Sequence, residues 1–173
     1  MFTRNYRNLI KSCICSGPTS KTYNLPIVLP NGRTYYLNRH LYNSFPERVT
    51  DAFSTSISSP GVSIGSGTTP ATELDYRLET PITSGVSGSL TVNRQVDNIG
   101  NPFVEFILTI SNTGSSDITV SEIGYSQALA CGSSVEYTTT NIDIVLLERT
   151  VLTTPITIPA GDFTAIRYKI TTS

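Results

Sequence analysis

Glu73, Asp75 and Glu79 crowd three carboxylates into seven residues. Two such groups, one protonated and one ionised on either side of a sugar ring, are what glycoside hydrolysis requires. The sequence offers no cleft signal and no aromatic sugar platform, and it has no Trp, so the three acids read as a solvated face. Gly61-Val62-Ser63-Ile64-Gly65 spells the G-x-S-x-G of a hydrolase nucleophile elbow. An elbow needs a strand before the serine, a helix after it, and an acid and then a histidine downstream. The one histidine, His40, lies upstream and Ser63 falls inside a strand-like run; the segment reads as a strand. Gly65-Ser66-Gly67 could cradle a phosphate through backbone donors, but no Gly-Lys-Ser/Thr follows, and a turn is expected.

Cys13, Cys15, Cys131 and His40 are the candidates for a metal site. Zinc is ordinarily held by C-x₂₋₄-C pairs, which Cys13-x-Cys15 does not match, and Cys13 reads as a small buried hydrophobe. Asp97 to Asn101 has oxygen ligands and a glycine but neither the spacing nor the terminal Glu of a calcium loop, and reads as a hairpin turn. No metal, cofactor or catalytic residue is expected. Tyr23, Tyr35, Tyr36 and Tyr42 interleave with Arg33 and Arg39. Such a set can stack bases, and it equally suits a protein interface, which is the reading adopted.

The chain that must position these groups has 173 residues, enough for one domain with an appended arm. Charged residues are 14%, well below the usual quarter, a balance that suits extracellular or virion β-proteins. Formal charge is unevenly placed. Residues 1–50 carry seven basic groups against one acidic, a formal +6; residues 51–173 carry five against twelve, a formal −7. A basic amino-terminal portion beside an acidic body points to docking on protein, its own or a neighbour's, ahead of nucleic acid. Three cysteines make no disulfide framework and suggest reduced thiols in a chain folded in a cytoplasm. No signal peptide is expected at Phe2 to Ile14, where charges are threaded through the apolar residues, and no run approaches a membrane span.

Phe2, Tyr6, Leu9, Ile10 and Cys13 recur at spacings of three and four and predict a short helix with one apolar stripe. Tyr23 to Leu29 and Arg33 to Leu37 flank Pro30-Asn31-Gly32, a hairpin signal, with Pro26 marking its first arm as an edge. Ser44-Phe45-Pro46-Glu47 has the spelling of a capping box and predicts a helix carrying Val49, Phe53 and Ile57 on one face. Ser59-Pro60-Gly61 then sets the main boundary. Thr69 and Pro70 are placed to cap and open one or two further helical turns.

Beyond the boundary the period changes to two. Val104, Phe106, Leu108 and Ile110 share one face, Ser111 to Ser116 makes a polar turn, and Ile118 and Val120 return, which predicts a hairpin. Leu90 to Val96, Ile142 to Leu152, Pro155 to Ile158 and Phe163 to Thr171 add strands. Ile166, Tyr168 and Ile170 are inward on the last of these, opposite Ala165, Arg167 and Lys169. About seven strands from Gly61 onward predict a mainly β chain: an antiparallel immunoglobulin-like or jelly-roll-like sandwich over residues 60–173. It is preceded by a basic, partly helical anchoring region over 1–59 (helix, hairpin, helix). Val145 and Leu147, apolar opposite Ile144 and Leu146, suit a central strand or a subunit interface.

The segments MFTRNYRNLIKS, GVSIGSGTTPATELDYRLETPITSG and LTISNTGSSDITVSEIGY…LLERTVLTTPITIPAGDFTAIRYKI occur in that order. Together they resemble small β-sandwich structural proteins of the virions of tailed phages and prophages of gut bacteria, Gly65 to Pro70 with Asp75-Tyr76 being the more specific part. The resemblance covers nearly the whole chain. It implies a non-enzymatic particle component (capsid decoration, head fibre, neck or tail), made in the bacterial host cytoplasm and carried in the virion. It brings no catalytic residues.

The expected assembly contacts are Phe2, Tyr6, Arg7, Leu9 and Ile10 on the helix stripe, with Tyr35, Tyr36 and Arg39 as a second patch. Their partners would be other virion proteins and sister copies in a homo-oligomer, trimeric by analogy with decoration and fibre proteins, with neither nucleic acid nor membrane expected. Removal of residues 1–20 is expected to leave a soluble sandwich that no longer enters particles. Two other readings compete: a receptor- or carbohydrate-binding adhesin module using loops such as Ala128 to Thr140, and a small jelly-roll coat protein whose basic arm binds the genome.

Overall fold

The computed structural model describes residues 2–4, 6, 26–37, 52–56, 59–96, 102–132 and 141–171. Among them are eight strands: β1 (Pro26–Val28), β2 (Thr34–Leu37), β3 (Gly61–Gly65), β4 (Val86–Val96), β5 (Pro102–Asn112), β6 (Ile118–Gly132), β7 (Asn141–Ile158) and β8 (Phe163–Thr171). All named pairings are antiparallel. One sheet runs β1-β2-β6-β3 with β7 along the other edge of β6; the second runs β4-β5-β8. The chain is mainly β, as its period-two patterning predicts.

The core lies between the sheets. Val62, Ile64, Val120, Ile123 and Ile158 from the first meet Phe106, Leu108, Ile110, Ile166 and Tyr168 from the second. Val104, Phe106, Leu108 and Ile110 of β5 and Ile166 and Tyr168 of β8 face inward as read from the alternation, and Ala165, Arg167 and Lys169 are exposed as expected. Phe106 also stacks with Tyr168 at 6.1 Å and tilts against Tyr125 at 5.2 Å, geometry that adds to simple area burial.

The expected β5–β6 hairpin is corrected. β5 pairs with β4 and β8, and β6 with β2, β3 and β7, so residues 113–117 carry the chain from one sheet to the other. One apolar face followed by a polar turn fits either arrangement; what decides is which strand fills each backbone edge. Asn112 builds the crossing. Its Oδ1 accepts from Gly114 N–H (3.0 Å), and its Nδ2 donates to Ser116 O (2.8 Å) and Ile158 O (3.0 Å). Its backbone accepts from Gly161 N–H and donates to Asp162 O. This side chain therefore joins the β5–β6 crossing to the β7–β8 crossing.

The two strands predicted over 142–152 and 155–158 are one, β7, so six strands follow Gly61 among the described residues. The ladder with β6 jumps from Val120↔Ile156 to Glu122↔Val151, and Pro155 sits in that break, where a missing N–H is tolerated. A second irregularity leaves Leu147 as the extra residue opposite Tyr125 and Ser126. Such a bulge resets which side chains face inward. It leaves Arg149 on the outer face of the sheet.

The β1–β2 hairpin forms in the predicted place, closed by Leu29 N–H to Arg33 O, with β1 at the sheet edge. β2 pairs with the end of β6 (Tyr36↔Gly132, Leu37↔Cys131), and Ile27 and Leu29 pack with Val145 and Leu147 in a second buried cluster. These contacts cross the boundary read at residue 59, and they bury Val145 and Leu147 within this chain. The helix predicted through Phe53 is also corrected: Phe53 makes a parallel bridge to Val62, flanked by Val62 N–H to Ala52 O and Ser54 N–H to Val62 O. Ser54 Oγ bonds the backbone of Ser56 in both directions, a local alternative to helical bonding. Val49 and Ile57 lie outside the described residues.

Candidate functional site

Among the described residues, the densest group of ionisable side chains lies on the outer face of the first sheet, under residues 65–80. Glu122, on β6, has no exposed surface. Its Oε1 accepts from Thr80 N–H (2.8 Å) and Gly67 N–H (3.2 Å); its Oε2 accepts from Glu79 N–H (3.1 Å) and Arg149 Nε (2.7 Å). Arg149 on β7, also buried, extends the network through Nη1 to Asp75 Oδ2 (2.8 Å) and through Nη2 to Thr69 O (3.2 Å) and Glu79 Oε2 (3.4 Å).

Two readings of the sequence change here. Glu73 and Glu79 are exposed, as a solvated face requires, but Asp75 and Glu79 also converge on one guanidinium, and Glu73 offers its carbonyl to Arg4 N–H. Of the Gly65-Ser66-Gly67 segment, Gly67 N–H does bond a carboxylate, but it is that of Glu122 in the same chain, and the other backbone donors to it are Glu79 and Thr80. The glycines are required by proximity: a Cβ on Gly65 would stand 2.4 Å from Glu122 Oε1 and 2.6 Å from Thr80 O, and one on Gly67 2.5 Å from Glu79 Cβ. Gly124 serves the same covering segment, since its missing side chain leaves room for Leu78 on the outer face. The expected turns of helix after Thr69 are absent. Thr72 and Asp75 instead close a tight turn, with Thr72 N–H and Oγ1 both donating to the Asp75 carboxylate at 2.9 Å. Thr69 donates through N–H and Oγ1 to Glu79.

The electrostatics follow from these bonds. Burial pushes the Asp75 carboxyl up, but hydrogen bonds from Arg149 and Thr72 outweigh it and hold the group below its ordinary value. Hydrogen bonds from Thr69 hold Glu79 low in the same way. Burial works to lower Arg149, and bonding to Asp75 and Glu122 overcomes this and raises it. Glu148, on the inner face, is pushed up by burial, against hydrogen bonding that includes Thr150 Oγ1.

A lowered carboxylate stabilises the fold fully above its unfolded-state pKa, about 3.9 for Asp75, and loses that contribution as pH falls through the folded-state value. Glu148 has the opposite sign, favouring the fold at low pH and losing that contribution as pH rises. Below about pH 4 the stability of the native chain is expected to fall more steeply than that of Asp75→Asn, read as urea midpoint against pH. Parallel acid limbs for the two proteins would detach Asp75 from the network's pH dependence.

A cleft of about 250 Å³ opens beside the network, lined in part by Leu74, Tyr76 and Arg77. Of the other charged groups on its wall, Asp75 and Glu79 are each bonded to Arg149. Ser63 lies within β3 opposite Gly124, which is strand geometry and not an elbow. No group of three or more metal-ligating side chains occurs among the described residues, and no helix among them is long and apolar enough to cross a membrane.

The sequence-predicted contact residues divide. Phe2 and Tyr6 stack on each other at 4.1 Å, and Tyr6 packs against the cluster of Ile27, Leu29, Val145 and Leu147. Thr3 between them is fully buried, its Oγ1 donating to Leu146 O (3.0 Å) and Leu147 O (3.1 Å). Tyr35 and Tyr36 are strand residues paired with Ile27 and Pro26. Arg7, Leu9, Ile10 and Arg39 lie outside the described residues, as do Cys13, Cys15, His40 and most of the predicted amino-terminal helix. Glu122 and Arg149 were missed as site residues, although Arg149 stands as a charge inside the mostly apolar stretch Ile144 to Leu152. No known protein family, curated protein or solved structure matches the chain.

Proposed function

We propose that this chain is a non-enzymatic structural component of a phage virion, a rigid two-sheet block that assembles with other virion proteins and with copies of itself. The observation that supports a structural role is the use made of its charged groups. Glu122, Arg149, Asp75 and Glu79 are committed to holding one covering segment on one sheet. The assignment to a virion comes from the resemblance of the segments around MFTRNYRNLIKS, Gly61 to Gly85 and Leu108 to Ile170. The amino-terminal residues take part in the block itself, since Thr3 and Tyr6 are seated on β7 and its cluster. Removing residues 1–20 would therefore uncover Val145 and Leu147 as well as an anchor, and truncation does not isolate the assembly role.

Electron cryo-microscopy of the particle tests the proposal directly. Copies of the sandwich resolved on the capsid lattice, neck or tail are the expected result, and the position would choose among decoration, connector and fibre roles. Particles purified to homogeneity without this chain would overturn it.

A further inference from the structure

We infer that β4 is a self-pairing edge: two copies of this chain join antiparallel through Val86–Val96, centred on Thr91, into one continuous six-stranded sheet. The inference rests on the self-association part of the proposed function and is independent of where in a particle the chain resides.

Sheet edges are templates for further strands, and folded proteins blunt them with cover, charge, proline, bulges or shortness. The other edges here carry such devices. Phe2 bridges to Glu148 and Thr3 N–H bonds Leu147 O along β7. Phe53 bridges to Val62 along β3. β1 has three residues and begins with Pro26. β8 carries Arg167 and Lys169. β4 differs from all of them. It has eleven residues, pairs with β5 at every position without a register break, contains no proline and has Arg94 as its sole charge. Its far edge has no strand partner among the described residues.

The strand is also self-complementary. With Thr91 opposite its own copy, residues of equal parity meet, so both copies keep their core faces on the same side. On that side Leu90 falls opposite Val92 and Val86 opposite Val96. Leu90, Val92 and Val86 already pack at the margin of the core, and Val96, 63% exposed, gains an apolar neighbour. On the outer side Ser89 meets Asn93 and Ser87 meets Gln95, polar against polar. At the remaining positions of the core-side parity Gly88 falls opposite Arg94, so the strand's one charge does not face its own copy. A patch that is its own complement about a twofold axis closes as a dimer.

Thr91 is exposed and would sit on the axis, which makes it the probe. Sedimentation equilibrium of the full chain is expected to show a reversible dimer. Thr91→Lys and Thr91→Glu each put like charges directly opposite themselves and are expected to weaken dimerisation at least about tenfold, with the monomer's thermal unfolding unchanged. An equimolar mixture of the two variants is expected to recover the dimer, because Lys then faces Glu. A monomeric native chain, or a dimer that neither variant weakens, would overturn the inference while leaving the virion reading to its own test. Variants that weaken the dimer without rescue on mixing would overturn the central register.

Discussion

Replacing Arg149 by methionine is expected to destabilise the fold by about 3–5 kcal/mol, the range for breaking a buried ion pair by removing one partner. The substitution keeps much of the side chain's apolar volume, so the loss is electrostatic more than steric. Glu122 would remain fully buried with three backbone donors and no cation. Asp75 and Glu79, both now turned toward the guanidinium, would be left facing one another and Glu122. Buried ion pairs can often be exchanged for apolar residues at little cost, but that result does not transfer here. An apolar residue at 122 would orphan the N–H groups of Gly67, Glu79 and Thr80, each an unmade hydrogen bond. The check is urea unfolding of Arg149→Met, Glu122→Gln and the double variant. Non-additivity is expected between the two positions, as is faster amide exchange at Gly67, Glu79 and Thr80. A loss below about 0.5 kcal/mol for Arg149→Met, or strictly additive effects, would show that the network does not hold the covering segment down.

The period-two runs were legible because burial on one face writes itself into every second residue. Phe106, Leu108 and Ile110 could be placed on the core face without knowing their neighbours. Pairing partners are a different kind of information. Asn112 to Ile118 has the same local spelling whether the chain doubles back in one sheet or crosses to another, and only strands distant in sequence decide. Phe53 shows the same limit: its spacing from Val49 and Ile57 fits a helix, yet the bridge to Val62 and the Ser54–Ser56 bonds take the backbone elsewhere. The ionic network was half legible. The closeness of Asp75 and Glu79, and the glycines before them, marked out the segment. What they serve is set by Glu122 and Arg149, 43 to 74 residues further on, brought side by side by the β6–β7 pairing. For Arg149, a charge inside a mostly apolar strand stretch was the available signal, since such groups are rarely buried unless paired.

Asn112 is the residue whose removal most directly tests how the two sheets are joined. Asn112→Ala is expected to cost about 2–4 kcal/mol, because it orphans Gly114 N–H, Ser116 O and the buried Ile158 O together. Asn112→Asp separates the two ends of that side chain. It keeps an acceptor for Gly114 N–H but turns a carboxylate oxygen toward two carbonyls, which disfavours the charged form. Its folded-state pKa should then rise above the ordinary aspartate value of about 3.9. A raised carboxyl contributes its stability below the unfolded-state pKa and loses it as pH rises through the folded-state value. The variant should therefore approach native stability in acid and lose it toward neutrality, whereas Asn112→Ala should carry its deficit at every pH. A pH-independent deficit in Asn112→Asp would mean that the amide's donors to Ser116 and Ile158 contribute little. The crossing between the sheets would then be held by the backbone bonds to Gly161 and Asp162 and by Ala160 N–H to Asp117 Oδ1.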